Sequence, residues 1–588
     1  MADHPTRPGP DHPRVDDFFY ENPDPVPGQE RAEPARSRRA GDDGSDGRAE
    51  DAGPGGEDGP GREDGPGKDG GEELPDPTGA GSRGRRAAVG RWARAVAAVG
   101  VAGVLVYGAA SDRVSGVDLA AALDRSAPPP TTEGQQAGVA VVTGSALGCV
   151  GPDLVGLDDP TVAEPDQTVS VAAGAAPLEV LGEAVVPAGA GQIELVAAPA
   201  GPTARAAVRD DIASVRLSGA TWARGTASGA LAPGFAGSQL GLGLEEQQRG
   251  LSTAPCGQAA DEAWFVAGGE EAGRAERLIL ANPTGNPVTV NVEVLGADGP
   301  VDVVGGRGIV IAPGARQVVL LDALAPGEER PVAHVTTTGG PVLAAVGDRW
   351  LEGTLDRGTE LTTPTAAPAT TLLIPAVPGP RADSADITSV RVAVPGAEQS
   401  VVQVRALTAD GPVRVANAVT SVDAGSVADV DLSDLPEGTQ AIEVVADTPV
   451  VASAQVVRRV DPEGVSELAW VPAVTPSTGV VGLPLAAPGE DPVSLELTVA
   501  SVEGARVEVV TVTADRTHVQ PVTIPAAGSR ALELSRSTES IWVRPLRGSA
   551  SSALLTTVQD ELGPLVAGMV LPEAPVTRQV RPVAPWAP

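Results

Sequence analysis

Short stretches of alternating apolar and polar residues recur along this chain, and their recurrence constrains the fold more than any other feature. The clearest are residues 288–294 (VTVNVEV), 401–407 (VVQVRAL) and 507–512 (VEVVTV). A period of two is typical of β-strands that bury one face. The intervals of about 100 residues suit one sandwich-sized module per copy and are too long for propeller blades.

The copies also share their turns. Residues 295–301 (LGADGPV) match residues 407–413 (LTADGPV), and in each copy a strand meets an Asp-Gly turn. A hydrophobic residue followed by proline closes each unit, at Ile374-Pro375, Val471-Pro472 and Leu571-Pro572. We therefore predict an all-β region of tandem immunoglobulin-like or β-sandwich modules. The predicted modules cover residues 138–270 (a divergent first copy), 271–375, 376–475 and 476–575, with a C-terminal tail at 576–588.

The N-terminal part has a different composition. Residues 1–80 are rich in acidic residues, Gly and Pro and have no apolar period. Such a segment cannot bury enough surface to offset its chain entropy, so we predict a disordered acidic tail in the cytoplasm. Residues 81–94 carry five arginines and no acid, and residues 95–111 form an uncharged run rich in Ala, Val and Gly.

The uncharged run is predicted to be a single transmembrane helix, so that residues 81–111 form a basic flank and a membrane span. The run of about 17 residues is near the lower limit for a span. The arginines before it place the tail inside the cell and residues 112–588 outside, with a Pro-rich stalk at 112–137. Two alternatives are a signal peptide cleaved after Ala110 and a buried helix of a soluble protein.

The chain contains two cysteines, Cys149 and Cys256, and both fall in the first predicted module. Neither belongs to a CxxC pair. An even pair of cysteines beyond a membrane anchor indicates a disulfide, which would close a loop of about 107 residues. The alternative is two buried free thiols.

The composition disfavours several classes of site. The chain has 77 acidic and 42 basic residues, and Lys68 is its one lysine, so nucleic acid is not an expected partner. His334 and His518 are the histidines of the predicted exterior, and neither lies in a nucleophile or metal motif. We therefore expect no catalytic residue, no metal site and no cofactor. Adjacent acids are predicted to lie in solvated turns, at Asp158-Asp159 and Asp210-Asp211.

Five tryptophans of the predicted exterior are candidates either for ligand platforms or for plugs between modules: Trp222, Trp264, Trp350, Trp470 and Trp542. Sugar-binding modules usually display several coplanar aromatic side chains, whereas aromatic residues make up 2% of this chain. We therefore favour plugs at the joints between modules.

Several of these motifs resemble an actinobacterial family of single-pass membrane-anchored, β-rich proteins of unknown function. The resemblance covers about residues 90–575 and implies an envelope-facing protein, without implying an activity. The matching segments are Cys149-Val150-Gly151-Pro152, Pro255-Cys256, Trp264-Phe265-Val266-Ala267-Gly268-Gly269, Asn282-Pro283 and Ala469-Trp470-Val471-Pro472.

The sequence thus predicts a protein of the cell membrane whose exterior is a non-enzymatic envelope scaffold or accessory interaction factor. Its expected partners are the membrane and either envelope proteins or wall glycans. The alternative function is a cell-wall glycan-binding module, and a third hypothesis is a glycan hydrolase whose carboxylates come from distant positions.

Overall fold

The computed structural model describes residues 138–157, 164–181, 186–187, 189–245, 248–381, 384–436, 438–487 and 493–580. All of them belong to one compact unit, Ala127–Pro588. The predicted acidic tail, membrane span and stalk lie outside the described residues. Among the residues described, no helix combines the length and apolar character that a membrane crossing needs.

The described chain is all-β, as predicted, with sheets that pack in pairs as four consecutive sandwiches. Strand β1 (Gly138–Val141) precedes the first sandwich. That sandwich contains β2 (Gly144–Cys149), β3 (Thr168–Ala175), helix α1 (Leu178–Leu181), β4 (Gln192–Ala198), β5 (Thr203–Ala206), β6 (Ala213–Ser218), β7 (Trp222–Ser228), a 3-10 turn (Gly229–Leu231), β8 (Phe235–Gly243) and β9 (Gly250–Pro255).

The second and third sandwiches follow directly along the chain. The second contains β10 (Glu262–Val266), β11 (Arg274–Ala281), β12 (Val288–Gly296), β13 (Gly299–Val301), β14 (Ile309–Ile311), β15 (Arg316–Leu320), helix α2 (Leu321–Leu324), β16 (Val332–Thr338), β17 (Leu343–Glu352) and β18 (Leu355–Thr362). The third contains β19 (Ala369–Pro375), β20 (Ile387–Ala393), β21 (Ser400–Thr408), β22 (Gly411–Val422), β23 (Val427–Asp431), β24 (Ala441–Arg459) and β25 (Ser466–Pro472).

The fourth sandwich completes the repeat. It contains β26 (Val481–Pro484), β27 (Val493–Ser501), β28 (Ala505–Thr513), β29 (Arg516–Ile524), β30 (Gly528–Leu534), β31 (Ser540–Arg547), β32 (Ser551–Asp560) and β33 (Gly563–Val570). Strand β34 (Thr577–Val580) follows it. The three alternating stretches of the sequence lie in β12, β21 and β28.

The four sandwiches share one strand order. In the first, the sheets run β2-β7-β4-β5 and β6-β3-β8-β9, and the fourth repeats this as β26-β31-β28-β29 and β30-β27-β32-β33. The second has β10-β16-β12-β13 and β15-β11-β17-β18, with β14 added beside β12. In the third, the long strand β24 pairs with β19 and β21 through its first half and with β20 and β25 through its second.

Alternation explains how each sandwich closes on its core. Val288, Val290, Val292 and Val294 of β12 are at most 1% exposed, and the residues between them face outward. Equivalent inward rows come from both sheets of each sandwich, so the apolar core fills the space between them. The predicted closing motif Ile374-Pro375 proves to end β19, the first strand of the third sandwich. Thr363-Pro364 follows the last strand of the second.

Each sandwich contributes its last strand to the centre of the molecule; these strands are β9, β18, β25 and β33. Each of them contacts the next in that order, and β33 contacts β9 again. The four sandwiches therefore form a ring around these central strands. Strand β1 closes the ring by pairing antiparallel with β34, from Gly138 opposite Val580 to Val141 opposite Thr577. The two strands that flank the repeat thus lie side by side.

Candidate functional site

The two cysteines form a disulfide with their Cα atoms 4.5 Å apart. Cys149 is the last residue of β2 and Cys256 directly follows β9, so the bond joins the first and last strands of the first sandwich. The other sandwiches connect the same two places by isolated backbone bridges alone, at Trp264–Thr365, Leu373–Val474 and Val481–Glu573. The disulfide therefore reinforces a connection that the fold repeats.

The two histidines lie in different sandwiches. His334 of β16 stacks on Trp264 with ring centroids 3.9 Å apart, and its Nε2 lies 2.9 Å from Glu262 Oε1. His518 is an exposed residue of β29. The pair Asp210-Asp211 is exposed between β5 and β6, whereas Asp158-Asp159 lie outside the described residues. These sequence candidates do not converge on a common site.

Two tryptophans lie at joints between sandwiches. Trp222 of the first sandwich donates from Nε1 to the Gly314 carbonyl of the second, at 3.0 Å. Trp470 of the third donates from Nε1 to Asp348 Oδ2 of the second, at 2.8 Å. Both tryptophans are at most 2% exposed, so they serve as the plugs that the sequence favoured.

The other three tryptophans find their polar or ring partners in their own sandwich, although Trp542 and Trp264 also belong to apolar clusters that extend into a neighbouring sandwich. Trp542 donates to Ser540 Oγ at 3.0 Å, and Trp264 stacks on His334. Trp350 is partly buried and lies against the guanidinium groups of Arg274 and Arg357. None of the five described tryptophans forms an exposed platform for a sugar ring.

The joint between the second and third sandwiches contains a buried ionic cluster. Arg274 of β11 donates to Asp348 of β17 twice, from Nε to Oδ1 at 2.9 Å and from Nη2 to Oδ2 at 2.6 Å. Their side chains are 1% and 0% exposed. Trp470 donates to the same carboxylate, and the Arg391 guanidinium lies 5.1 Å from the centroid of its ring. Asp348 therefore links the second sandwich to the third.

Two carboxyl groups of this cluster have pKa values shifted in opposite directions. Burial, a hydrogen bond with Asp322 and the charge of Asp348 raise the pKa of Glu276 to about 10. Burial also opposes ionisation of Asp348, but the Arg274 guanidinium and the hydrogen bonds to this carboxylate outweigh it, so its pKa is lowered. Two nearby carboxyl groups whose pKa values are shifted in opposite directions can mark an acid–base catalytic site. Here both side chains are at most 1% exposed, so solvent and substrate do not reach them.

The joint between the first and second sandwiches uses an arginine that is hydrogen-bonded to carbonyl groups. Arg316 of β15 donates to the Val150 and Val155 carbonyl oxygens, each at 2.9 Å, and to the Pro152 carbonyl. Burial lowers the pKa of Arg316 to about 10. The accepting segment begins directly after Cys149, so the disulfide and Arg316 hold the same stretch of chain.

A third group of charges lies where the central strands meet. Arg249, whose side chain is 1% exposed, donates to Asp560 Oδ2 of the fourth sandwich at 2.7 Å. It also donates to the Ser466 carbonyl of the third at 3.3 Å. Arg349 of the second sandwich donates to the Arg249 carbonyl at 3.0 Å. One hydrogen-bonded network therefore contacts all four sandwiches.

Two glutamates extend from neighbouring central strands, Glu360 from β18 and Glu467 from β25, and both are 0% exposed. Glu467 accepts a hydrogen bond from the Thr359 backbone N–H at 2.8 Å. Burial raises the pKa of Glu467 to about 8 and also raises the pKa of Glu360. Glu467 is thus neutral at mildly acidic pH.

Two cavities of the structure are not lined by any of the buried carboxyl groups of Glu276, Asp348, Glu360 and Glu467. A cavity of about 230 Å³ between the first and second sandwiches has apolar walls that include Val150 and Leu343. Another, of about 440 Å³, lies in the fourth sandwich. Within the described ranges, no group of three or more His, Cys, Asp or Glu side chains could hold a metal ion. The buried ionic groups therefore serve to bond one sandwich to the next.

The model of a family of unknown function, DUF5719, matches residues 212–537. The chain belongs to this family. No curated protein matches it. A crystal structure of a tetra-tandem repeat in the extending region of a large adhesion protein aligns at 14% identity, over 68% of this chain and 93% of that one, with a TM-score of 0.09. A likeness at that TM-score supports no conclusion about this chain.

The DUF5719 match contains the joint between the second and third sandwiches. Two motifs quoted from the sequence meet there, because the Gly268 backbone N–H donates to Asp348 Oδ2 at 3.1 Å and Trp470 donates to the same oxygen. Sequence reasoning did not single out Arg274, Asp348 or Glu467. A sequence signal exists in β17 and β18, where the adjacent charged pairs Asp348-Arg349 and Asp356-Arg357 stand within strands that are mostly buried.

Proposed function

We propose that this protein is a membrane-anchored extracytoplasmic scaffold, a rigid ring that presents outer surfaces to envelope partners and catalyses no reaction. The observation that carries the proposal is the use of buried charge. Arg249 and Arg316 each bond a neighbouring sandwich, and Asp348, which is paired with Arg274, accepts from Trp470 of the third. The ionic chemistry of the core therefore fixes the four sandwiches relative to one another.

The disulfide supports the extracytoplasmic part of the proposal. Structural disulfides persist in oxidising compartments and are rare in the cytosol. The Cys149–Cys256 bond connects the strands at which the first sandwich opens and closes. A protein that folds with this bond is suited to the outside of the cell, which is where the predicted span at 95–111 would place it.

The proposal disfavours the two other functions that the sequence left open. A hydrolase needs carboxyl groups that reach a substrate, and the opposed pair Glu276 and Asp348 is buried. A glycan-binding surface built on stacked tryptophans needs exposed rings, and the described tryptophans are buried or partly buried.

The orientation is tested by protease treatment of intact cells that carry an epitope tag after residue 580. We expect the tag to be removed from intact cells, while an epitope before residue 80 is cleaved only after lysis. Non-reducing electrophoresis of the same samples is expected to show the disulfide. A C-terminal tag protected in intact cells would contradict the proposal.

The scaffold role is tested by photo-crosslinking from exposed positions on outer strands, such as Val401 and Val419. We expect the same envelope proteins to be captured from neighbouring positions on one surface, and a different set or none from Val304 in the second sandwich. Turnover of envelope polysaccharide by the purified full chain would refute the non-enzymatic role.

A further inference from the structure

One hairpin of the fourth sandwich changes from apolar to polar along a single face. The inward-facing cross-strand pairs of β28 and β29 are, in order, Ala505–Ile524, Val507–Val522, Val509–Gln520, Thr511–His518 and Thr513–Arg516. The first two pairs are buried, whereas Gln520, His518 and Arg516 are exposed. Directly opposed side chains lie about 4.5–5.5 Å apart, so the last three pairs form a continuous surface.

The matching strands of the second and third sandwiches remain apolar on this face. β12 presents four buried valines there, and β21 presents Val402, Val404 and Ala406, which are also buried. The turns differ as well: GADG at 296–299 and TADG at 408–411 become TADR at 513–516. Relative to those copies, Arg516 replaces a glycine and His518 replaces a valine.

The two sheets separate at this end of the fourth sandwich and leave a cleft of about 440 Å³. One wall is the polar part of the hairpin, and the other includes Leu532 and Leu534 of β30. The volume is in the range of small-molecule sites. The side chains of Arg516, His518 and Gln520 have no hydrogen bond or ion pair with any other described residue. Their donors and acceptors are therefore available to a ligand.

The chemistry of the cleft favours a neutral ligand with many hydroxyl groups. Its polar groups are hydroxyl, amide, imidazole, guanidinium and the carboxylates of Asp515 and Glu533, so the charge of Arg516 is offset by acidic neighbours and an anionic ligand is not favoured. Val509, Leu532 and Leu534 add an aliphatic floor that suits the C–H face of a sugar ring. We propose that this cleft binds a short neutral saccharide. The site does not depend on the membrane tether or on the scaffold role.

The proposal is tested with the full chain in a detergent without a sugar headgroup. Saturation-transfer difference NMR and calorimetry are used with maltotriose, cellotriose, xylotriose and triacetylchitotriose as probes. We expect at least one of them to bind. The variants His518→Val and Arg516→Gly restore the residues of the other copies, and each is expected to weaken binding about tenfold, as loss of one or two hydrogen bonds would.

Thr517→Ala and Thr523→Ala are the matched controls, because both residues are exposed on the opposite face of β29. We expect them to bind within about twofold of the unaltered chain, and all four variants to keep its melting temperature. Failure of all four trisaccharides to bind would overturn the proposal. Equal losses of saccharide affinity in the test and control variants would also overturn it. So would a saccharide that binds the His518→Val variant as tightly as the unaltered chain and is displaced by an extended peptide, because it would then occupy a different site.

Discussion

Two arginines stabilise neighbouring joints of the ring in different ways. Arg274 connects the second and third sandwiches through Asp348, which also accepts from Trp470. Arg316 connects the first and second sandwiches through three backbone carbonyl groups. The pKa of Arg274 is raised, since the charges and hydrogen bonds of Asp348 and Glu271 outweigh its burial, whereas burial lowers that of Arg316.

The difference shows how the consequences of losing an arginine depend on its acceptor. Removal of Arg274 leaves a buried carboxylate without its counter-charge, which is among the larger penalties in proteins. Removal of Arg316 leaves neutral carbonyl groups, for which water is an adequate replacement if it can enter. Cys149 of the disulfide lies beside the joint between the first and second sandwiches, where Arg316 has no salt bridge with another described residue to strengthen the contact.

The largest effect is expected from Arg274→Ala, with a loss of about 3–5 kcal/mol in the free energy of unfolding because Asp348 stays buried and charged. The measurement is denaturant unfolding of the full chain. Arg307→Ala removes an exposed arginine that lies 3.8 Å from Glu293, and we expect a change below about 0.5 kcal/mol.

A double variant identifies the source of that loss. Arg274→Ala with Asp348→Asn removes the orphaned charge as well as the guanidinium, so we expect it to be more stable than Arg274→Ala alone. If the double variant were instead the less stable of the two, the loss would come from the packing of the Arg274 side chain. The larger effect expected at the Arg274 joint would then not be due to an unpaired charge.

The second effect concerns the disulfide. Cys149→Ser with Cys256→Ser opens a loop with a sequence separation of 107 residues, and removing such a bond typically costs about 2–5 kcal/mol. We expect about 3 kcal/mol, with limited proteolysis then cutting first in the segment after residue 149. Early cutting in the fourth sandwich would show that the disulfide does not support the joint between the first and second sandwiches.

The third effect should be smaller. Arg316→Ala is expected to cost about 2 kcal/mol, because three carbonyl groups lose donors but no charge is left unpaired. The loss should increase when the disulfide is also removed, since both hold the stretch after β2. If Arg316→Ala lowered the free energy of unfolding as much as Arg274→Ala, the two joints would not differ in the way proposed.

The strands and their repetition could be predicted from the sequence because alternation directly reports a buried face. Residues 288–294, 401–407 and 507–512 all lie in strands of the structure. The buried charges could not be predicted in the same way. Alternation assigns charged residues such as Asp348 and Glu467 to the outer face of a sheet, and only the ring shows that this face is covered by the next sandwich.

The position of each sandwich along the chain was also ambiguous. A hydrophobic residue followed by proline ends the first strand of the third sandwich, at Ile374-Pro375, as well as its last strand, at Val471-Pro472. Local sequence cannot distinguish these two ends, because both strands leave their sheets beside each other. The ring closure was equally hidden, since β1 and β34 meet only after all four sandwiches have formed.

The last effect depends on pH and concerns the joint between the second and third sandwiches. Burial raises the pKa of Glu467 to about 8 from its ordinary value of 4.5. The folded protein therefore binds a proton that the unfolded chain releases. This contribution is fully present below about pH 4.5 and is lost progressively as pH rises toward 8.

Unfolding of Glu467→Gln, measured between pH 5 and 8, is expected to show a shallower decline than the unaltered chain. The amide at 467 stays neutral throughout, while Glu276 and Glu360 still titrate. Glu463→Gln replaces an exposed glutamate four residues earlier and should retain the slope of the unaltered chain. An unchanged slope in Glu467→Gln would contradict the prediction and would mean that other buried carboxyl groups, such as Glu276 or Glu360, carry the proton.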